Sequence, residues 1–206
     1  MVLRGVVAQG VGFGLATGRP MRRLNDAVQS LSFPHLVGCA NGALVYEPAT
    51  HRIVACQEMS RHAVKANVTA VRQAWPDCEI AVERLIRDAS SRFEQVLYAE
   101  QNATHRWPAG DRAQLIPESM LWAKPALKIM VRDRTNRSEA MAAYAGRLLA
   151  DTAEVTYANP DNCLIEITQL GINKGWAAKT MAECLNVHSG PSVAFGDMPN
   201  DLPLFR

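Results

Sequence analysis

A loop near the end of the chain gathers side chains that can bind a metal ion. Gly196-Asp197-Met198-Pro199-Asn200-Asp201 places two carboxylates and one amide within six residues, directly after the apolar run Ser192–Phe195. Clustered oxygen ligands of this kind suit a hard divalent cation. The same residue types also favour a solvated turn, so the loop alone leaves both interpretations open.

Two further segments have groups that can bind an anion. Thr17-Gly18-Arg19-Pro20 follows the apolar run Val11–Ala16 and supplies a hydroxyl donor and a glycine whose backbone can approach a phosphate closely. Lys174 lies at or next to the predicted start of a helix, where backbone N–H groups already favour anions. Taken singly, the first segment is equally compatible with an ordinary turn, and Lys174 with a surface position.

The elements around these loops indicate an α/β core. The two apolar runs predict buried strands, and each is followed by one of the polar loops. Ligands of open α/β sheets bind outside the carboxyl ends of the strands, so the two loops should meet in space. Further predicted elements are helices at Met21–Leu31 and Asn173–Leu185, a strand at His35–Cys39, and a hairpin of Ala43–Tyr46 and Arg52–Gln57.

The middle of the chain mixes strands and helices without strict alternation, which predicts an α+β insert with an antiparallel sheet. Ser60 and Ser138 are expected to cap its two helices. The predicted elements are helices Ser60–Trp75 and Ser138–Ala150, strands Glu79–Arg84, Phe93–Tyr98, Ala126–Val131, Glu154–Tyr157 and Cys163–Thr168, and a loop at Asn102–Pro117. We therefore assign residues 1–45 and 165–206 to two parts of an α/β core, and residues 46–164 to the insert.

Composition narrows the classes of function. The 206-residue chain has a net charge of +2, too small to indicate nucleic acid or an anionic membrane as a partner. No apolar run approaches the roughly 20 residues of a transmembrane helix, and the opening residues do not resemble a signal peptide. Five irregularly spaced cysteines favour free thiols over a disulfide or zinc framework. We expect a cytoplasmic protein that is a monomer or a weak homodimer.

Together, these segments resemble motifs of the haloacid dehalogenase (HAD) phosphatases, Cof-like subfamily IIB. Ala16-Thr17-Gly18-Arg19-Pro20 resembles the second motif of the family, Lys174-Gly175 the third, and Gly196–Asp201 the fourth, Gly-Asp-x-x-Asn-Asp. Asn41-Gly42-Ala43 is similar to the stretch that leads into the cap of the Cof-like group. The resemblance spans almost the whole chain and implies a HAD-like Rossmannoid core with an inserted α+β cap.

The resemblance also implies roles for individual residues of a magnesium-dependent phosphatase that acts on small, sugar-phosphate-like metabolites. The catalytic residues would be Thr17, Lys174, Asp197 and Asp201. Phosphate or substrate would contact Thr17, Gly18, Arg19, Asn41, Lys174 and Asn200, with Asn41 serving as a hinge or an edge contact. Asp197 and Asp201 would hold Mg²⁺.

One motif of the family has no counterpart in this sequence. The first motif, Asp-x-Asp-Gly-Thr, supplies the nucleophile and the general acid/base, yet no aspartate precedes Asp26. We therefore expect the chain to be an inactive fragment, shortened at its N terminus and also at its C terminus. The alternatives are a non-catalytic phosphate-binding or regulatory pseudoenzyme, and a sugar-phosphate phosphatase or phosphomutase of a neighbouring HAD subfamily.

Overall fold

The computed structural model describes residues 2–24, 35–87, 93–101, 103, 107, 113–187 and 192–206. The chain forms two compact units. The first unit combines Met1–Cys56 with Ile172–Arg206, and the second unit is Gln57–Gly171. Within the described ranges, no helix is long and apolar enough to cross a membrane.

The described residues form four α-helices, four short 3₁₀ helices and ten strands. The α-helices are α1 (Val2–Ala8), α2 (Arg61–Ala74), α3 (Ser138–Leu148) and α4 (Lys174–Cys184). The strands are β1 (Gly14–Ala16), β2 (Leu36–Cys39), β3 (Leu44–Glu47), β4 (Arg52–Cys56), β5 (Glu79–Arg87), β6 (Phe93–Glu100), β7 (Gln114–Ile116), β8 (Lys128–Arg132), β9 (Ala153–Thr156) and β10 (Leu164–Gln169).

The first unit contains a four-stranded sheet in the order β1-β2-β3-β4. β1 runs parallel to β2, from Gly14 opposite Leu36 to Ala16 opposite Gly38, while β3 and β4 form the predicted hairpin and pair antiparallel. Helix α4 packs on this sheet, and Ala177 and Met181 join the apolar cluster formed with Leu36 and Val45. Because β1 and β2 are parallel, the loops after both strands emerge at the same edge of the sheet.

The second unit contains a six-stranded sheet in the order β7-β6-β5-β8-β10-β9. All of its strand pairs are antiparallel except β6 with β7. Helices α2 and α3 cover one face and share with the sheet a cluster of fully buried residues that includes Val68, Ile80, Ile129, Met141 and Ile167. The prediction of a mixed α/β chain with an inserted α+β part is confirmed.

The division into units differs from the boundaries placed by sequence pattern. The units divide after Cys56 and after Gly171. The expected divisions at 45/46 and 164/165 instead fall inside β3 and β10, each of which is hydrogen-bonded to two neighbouring strands. Hydrogen bonds across a sheet join β4 to the first unit, and a local change in residue pattern does not report those bonds.

The predicted strand Ser192–Phe195 is wrong. The segment has no strand pairing among the described residues, and Val193 and Phe195 are 77% and 88% exposed. An apolar run becomes a strand only when a neighbouring backbone satisfies its N–H and C=O groups. The run of apolar residues was therefore not sufficient evidence for a buried strand.

Three further predicted features, a helix cap, a loop and a helix, differ from the structure or lie partly outside the described residues. Ser138 does not cap α3: it is the first helical residue, and its buried hydroxyl accepts a hydrogen bond from the backbone N–H of Leu164 at 3.0 Å. Gln114–Ile116, part of the predicted loop Asn102–Pro117, forms β7. The predicted helix Met21–Leu31 starts as a 3₁₀ turn at Met21–Arg23, and its part from residue 25 onward lies outside the described residues.

Candidate functional site

Four segments of the first unit bring polar side chains together. The Thr17–Pro20 loop follows β1, and the Ala40–Gly42 turn follows β2. Lys174 is the first residue of α4, and Asn200 and Asp201 belong to the 3₁₀ helix Pro199–Phe205. Residues far apart in sequence therefore meet at one place. The loop after β1 meets the loop after Phe195 as expected, although the described residues before the second loop form no strand.

The ammonium group of Lys174 is buried and paired. Lys174 is 6% exposed, and its Nζ donates to Asp201 Oδ1 at 2.5 Å and to Asn200 Oδ1 at 3.0 Å. A lysine ammonium carries three N–H bonds, of which these contacts use two. Burial of this charge is tolerated because the partner carboxylate and the amide oxygen replace water.

The carboxylate of Asp201 accepts hydrogen bonds at both oxygens. Oδ1 accepts from Lys174, and Oδ2 accepts from the backbone N–H groups of Asp197 at 3.2 Å and Met198 at 3.1 Å. Burial alone would raise the pKa of Asp201, but the hydrogen bonds and charge of Lys174 and the two backbone donors outweigh it and lower the pKa below 3.8. Asp201 therefore holds both Lys174 and its own loop in place as an ionised group.

The side-chain amide of Asn200 links Lys174 to the turn after β2. Its oxygen accepts from Lys174, and its Nδ2 donates to Asn41 Oδ1 at 3.1 Å. Both asparagines are buried. The two contacts use opposite ends of the Asn200 amide, so together they fix its orientation.

The Thr17 loop lies against the same two asparagines. The backbone N–H of Thr17 donates to Gly38 O at 2.8 Å, and Thr17 Oγ1 accepts from the N–H of Arg19 at 3.1 Å. That contact uses an oxygen lone pair and leaves the hydroxyl proton for another acceptor. A Cβ atom at Gly18 would lie 2.7 Å from Asn41 Oδ1 and 3.3 Å from Asn200 Nδ2, so a side chain at this position would displace the Asn41 amide.

Asp197 is placed differently from Asp201, because it lies at the exposed edge of the cluster. Among the described residues, no group of three or more histidine, cysteine or acidic side chains is arranged to hold a metal ion. The Asp201 carboxylate already accepts three hydrogen bonds, whereas Asp197 is the exposed carboxylate of this loop. One carboxylate fits a Mg²⁺ ion only if waters and further ligands complete the octahedron.

Sequence patterns pointed to most residues of this cluster. Thr17, Gly18, Asn41, Lys174, Asn200 and Asp201 lie together, whereas the Arg19 side chain is exposed and its backbone joins the loop. The role of Asn173 does not follow from the predicted elements: its Oδ1 accepts from the Trp176 N–H at 3.1 Å and caps the helix that begins at Lys174. An asparagine at the first position of the predicted helix Asn173–Leu185 was the signal that could have revealed this cap.

A family model described as haloacid dehalogenase-like hydrolase matches residues 1–206. Many solved structures share the fold, among them the following three. The HAD subclass IIB sugar phosphatase BT4131 is 15% identical, with a TM-score of 0.72 over 99% of this chain and 74% of that one. A haloacid dehalogenase-like hydrolase from B. subtilis is 15% identical, with a TM-score of 0.71 over 98% and 77%.

The third structure is TM0651 from Thermotoga maritima, which is 19% identical, with a TM-score of 0.70 over 98% of this chain and 74% of that one. Identities this low establish a shared fold rather than a shared substrate. No curated protein matches the sequence.

Proposed function

Because the chain belongs to the haloacid dehalogenase-like hydrolase family, we propose that its first unit carries the phosphoryl-binding side of a magnesium-dependent phosphatase. The substrate class we propose is small phosphorylated metabolites resembling sugar phosphates. The observation that carries the proposal is the buried Lys174, held by Asp201 and Asn200 beside the Thr17–Gly18 turn. Because a fold alone does not specify a function, the proposal rests on the chemistry of the side chains in this cluster.

A phosphate group suits the donors of this cluster. The third N–H of Lys174 and the hydroxyl proton of Thr17 can donate to phosphoryl oxygens, and Gly18 has no side chain to obstruct the approach. Fixed donors stabilise the charge on a transferring phosphoryl group without reorganising during the reaction. The exposed Arg19 can extend toward the rest of the substrate.

Magnesium would be held at the exposed edge of the cluster. Asp197 supplies one carboxylate there, while Asp201 contributes by fixing the loop that contains Asp197. When bound, the ion would neutralise charge on the phosphoryl group. We expect the 206-residue chain to bind magnesium weakly. Asp197 supplies one carboxylate, whereas Mg²⁺ sites in proteins combine one or two carboxylates with substrate oxygens and waters.

The family chemistry also needs an aspartate in line with phosphorus. Its carboxylate attacks the phosphoryl group and releases the alcohol, and water then hydrolyses the aspartyl-phosphate. The nine aspartates of this sequence include no pair separated by a single residue, and the first is Asp26. We therefore propose that the 206 residues bind phosphate esters without turning them over.

A turnover assay with a generic aryl phosphate and Mg²⁺ tests the proposal. The 206-residue chain should release no phosphate. The same chain extended ahead of Met1 by a strand that ends in Asp-x-Asp-Gly-Thr should hydrolyse the ester only with Mg²⁺. In that extended protein, Lys174→Ala should lower turnover by about 10²- to 10³-fold, the scale for losing one preorganised charge stabiliser.

Two outcomes would contradict this proposal. Magnesium-dependent turnover by the 206-residue chain would show that the nucleophile lies elsewhere. An extended, folded protein that binds phosphate esters but never releases phosphate would support the second candidate, a non-catalytic phosphate-binding protein. The sequence feature that favours this second candidate is the absence of an Asp-x-Asp pair.

A further inference from the structure

The turn after β2 has an unusual backbone. Ala40, Asn41 and Gly42 are consecutive residues with φ angles of 50°, 56° and 101°. Side chains other than glycine rarely adopt the left-handed region, and asparagine tolerates it best among the larger residues. All three residues are buried, so surrounding contacts hold the turn in this conformation.

This turn binds the Thr17 loop through its backbone. The N–H of Asn41 donates to Thr17 O at 3.1 Å, and the N–H of Ala40 donates to Arg19 O at 3.1 Å. The left-handed conformation points both N–H groups toward the same loop. The position of the Thr17 hydroxyl therefore depends on the conformation of the turn.

The same turn also contacts the residues around Lys174. Asn41 Oδ1 accepts from Asn200, whose oxygen in turn accepts from Lys174. A Cβ atom at Gly42 would overlap the backbone oxygen of Asn173 and lie 3.3 Å from the backbone N of Lys174. The turn is thus packed directly against the first residues of α4.

We propose that Asn41 is a positioning residue that sets the spacing between Thr17 and Lys174. The inference rests on the proposed function, because Thr17 and Lys174 are the donors assigned to phosphate. Asn41 is 2% exposed, and its oxygen is occupied by Asn200, so it acts through Asn200 and the Thr17 backbone. The hinge or edge contact with substrate that the resemblance implies for Asn41 stays a separate prediction.

Asn41→Gly tests the side chain while keeping the backbone conformation. Asn186→Gly is the matched control, because Asn186 also has a left-handed φ of 55° but lies exposed after α4. Two quantities are measured: the ¹H–¹⁵N NMR signals of the Asn200 side-chain amide, and the affinity for inorganic phosphate. We expect Asn41→Gly to shift the Asn200 signals and weaken phosphate binding roughly three- to tenfold, the scale of one lost hydrogen bond. The control should change neither.

Asn41→Asp provides a second variant in case the glycine variant does not fold. Aspartate tolerates the left-handed region and offers a charged acceptor, which shortens and strengthens the hydrogen bond from Asn200. The side-chain amide proton of Asn200 that forms this hydrogen bond should therefore move downfield in the NMR spectrum. This spectroscopic change is one that loss of general stability would not produce.

The outcomes separate the two proposals. Unchanged Asn200 signals in every folded Asn41 variant would overturn the positioning role. Shifted Asn200 signals with phosphate affinity equal to that of Asn186→Gly would overturn it as well. If the wild-type chain binds no phosphate while the Asn200 signals respond to Asn41, the proposed function fails and the structural link from Asn41 to Asn200 stands.

Discussion

At the scale of single residues, the candidate site depends on one ion pair, Lys174 with Asp201. Both partners are buried, and removing either would leave an uncompensated charge. The lowered pKa of Asp201 makes this dependence measurable, because a carboxyl with a depressed folded-state pKa binds protons more readily in the unfolded chain.

Low pH should remove the contribution of Asp201 to the stability of the folded chain. The contribution of Asp201 to stability is fully present above its unfolded pKa near 3.8 and is lost as the pH falls toward the lowered folded value. Urea unfolding of wild type and Asp201→Asn between neutral pH and pH 2 checks this. The stability difference between the two proteins should shrink as the pH falls, and a difference independent of pH would show that Asp201 is not ionised in the pair.

Residue types predicted the members of the site but not their contacts. Thr17, Asn200 and Asp201 follow from polar loops after apolar runs, and Lys174 follows from its place at a helix start. The hydrogen bond from Asn200 to Asn41 joins residues 159 positions apart, and the left-handed turn at Ala40 has no residue signature except Asn41-Gly42. Such contacts arise from tertiary packing, which local patterns do not encode.

At the scale of elements, helix ends show where sequence patterns succeed and fail. Ser60 caps α2 as predicted, with its Oγ accepting from the Ala63 N–H at 3.2 Å. Ser138 has the same residue type before a helical pattern, yet its hydroxyl binds the backbone of β10. Both placements satisfy a backbone donor, and only the tertiary neighbours decide which one.

These two serines give a matched prediction within the second unit. Ser60→Ala removes an exposed N-cap and should cost about 1 kcal/mol of unfolding free energy. Ser138→Ala leaves the buried Leu164 N–H without its acceptor and should cost more, about 1–3 kcal/mol. Denaturant unfolding of both variants measures the difference. Equal costs, or a larger cost for Ser60→Ala, would argue against the hydrogen bond between Ser138 and β10.

At the scale of the whole molecule, the two units differ in how their sheets are built. β5 and β10 of the second unit each pair on both sides, and helices cover one face. β1 of the first unit has three residues and pairs with β2 alone among the described strands. The exposed Val193 and Phe195 also belong to the first unit.

Amide hydrogen exchange should reflect this difference. Local opening costs least where strands are short and backbone groups face solvent. We expect strands β5, β8 and β10 to exchange far more slowly than β1 and Ser192–Phe195. Uniform protection across both units would contradict this expectation.

The proposed function requires that the first unit binds a phosphoryl group at Lys174. Titration calorimetry of the 206-residue chain with inorganic phosphate measures this binding. Lys174→Met is compared with Lys179→Met, which removes an exposed lysine from the same helix, and NMR spectra confirm that both variants are folded. We expect Lys174→Met to weaken phosphate binding roughly 10- to 100-fold, the scale of a lost hydrogen bond from a charged group, and Lys179→Met to bind like wild type. Equal phosphate affinity in wild type and folded Lys174→Met, or no binding by any of the three proteins, would contradict it.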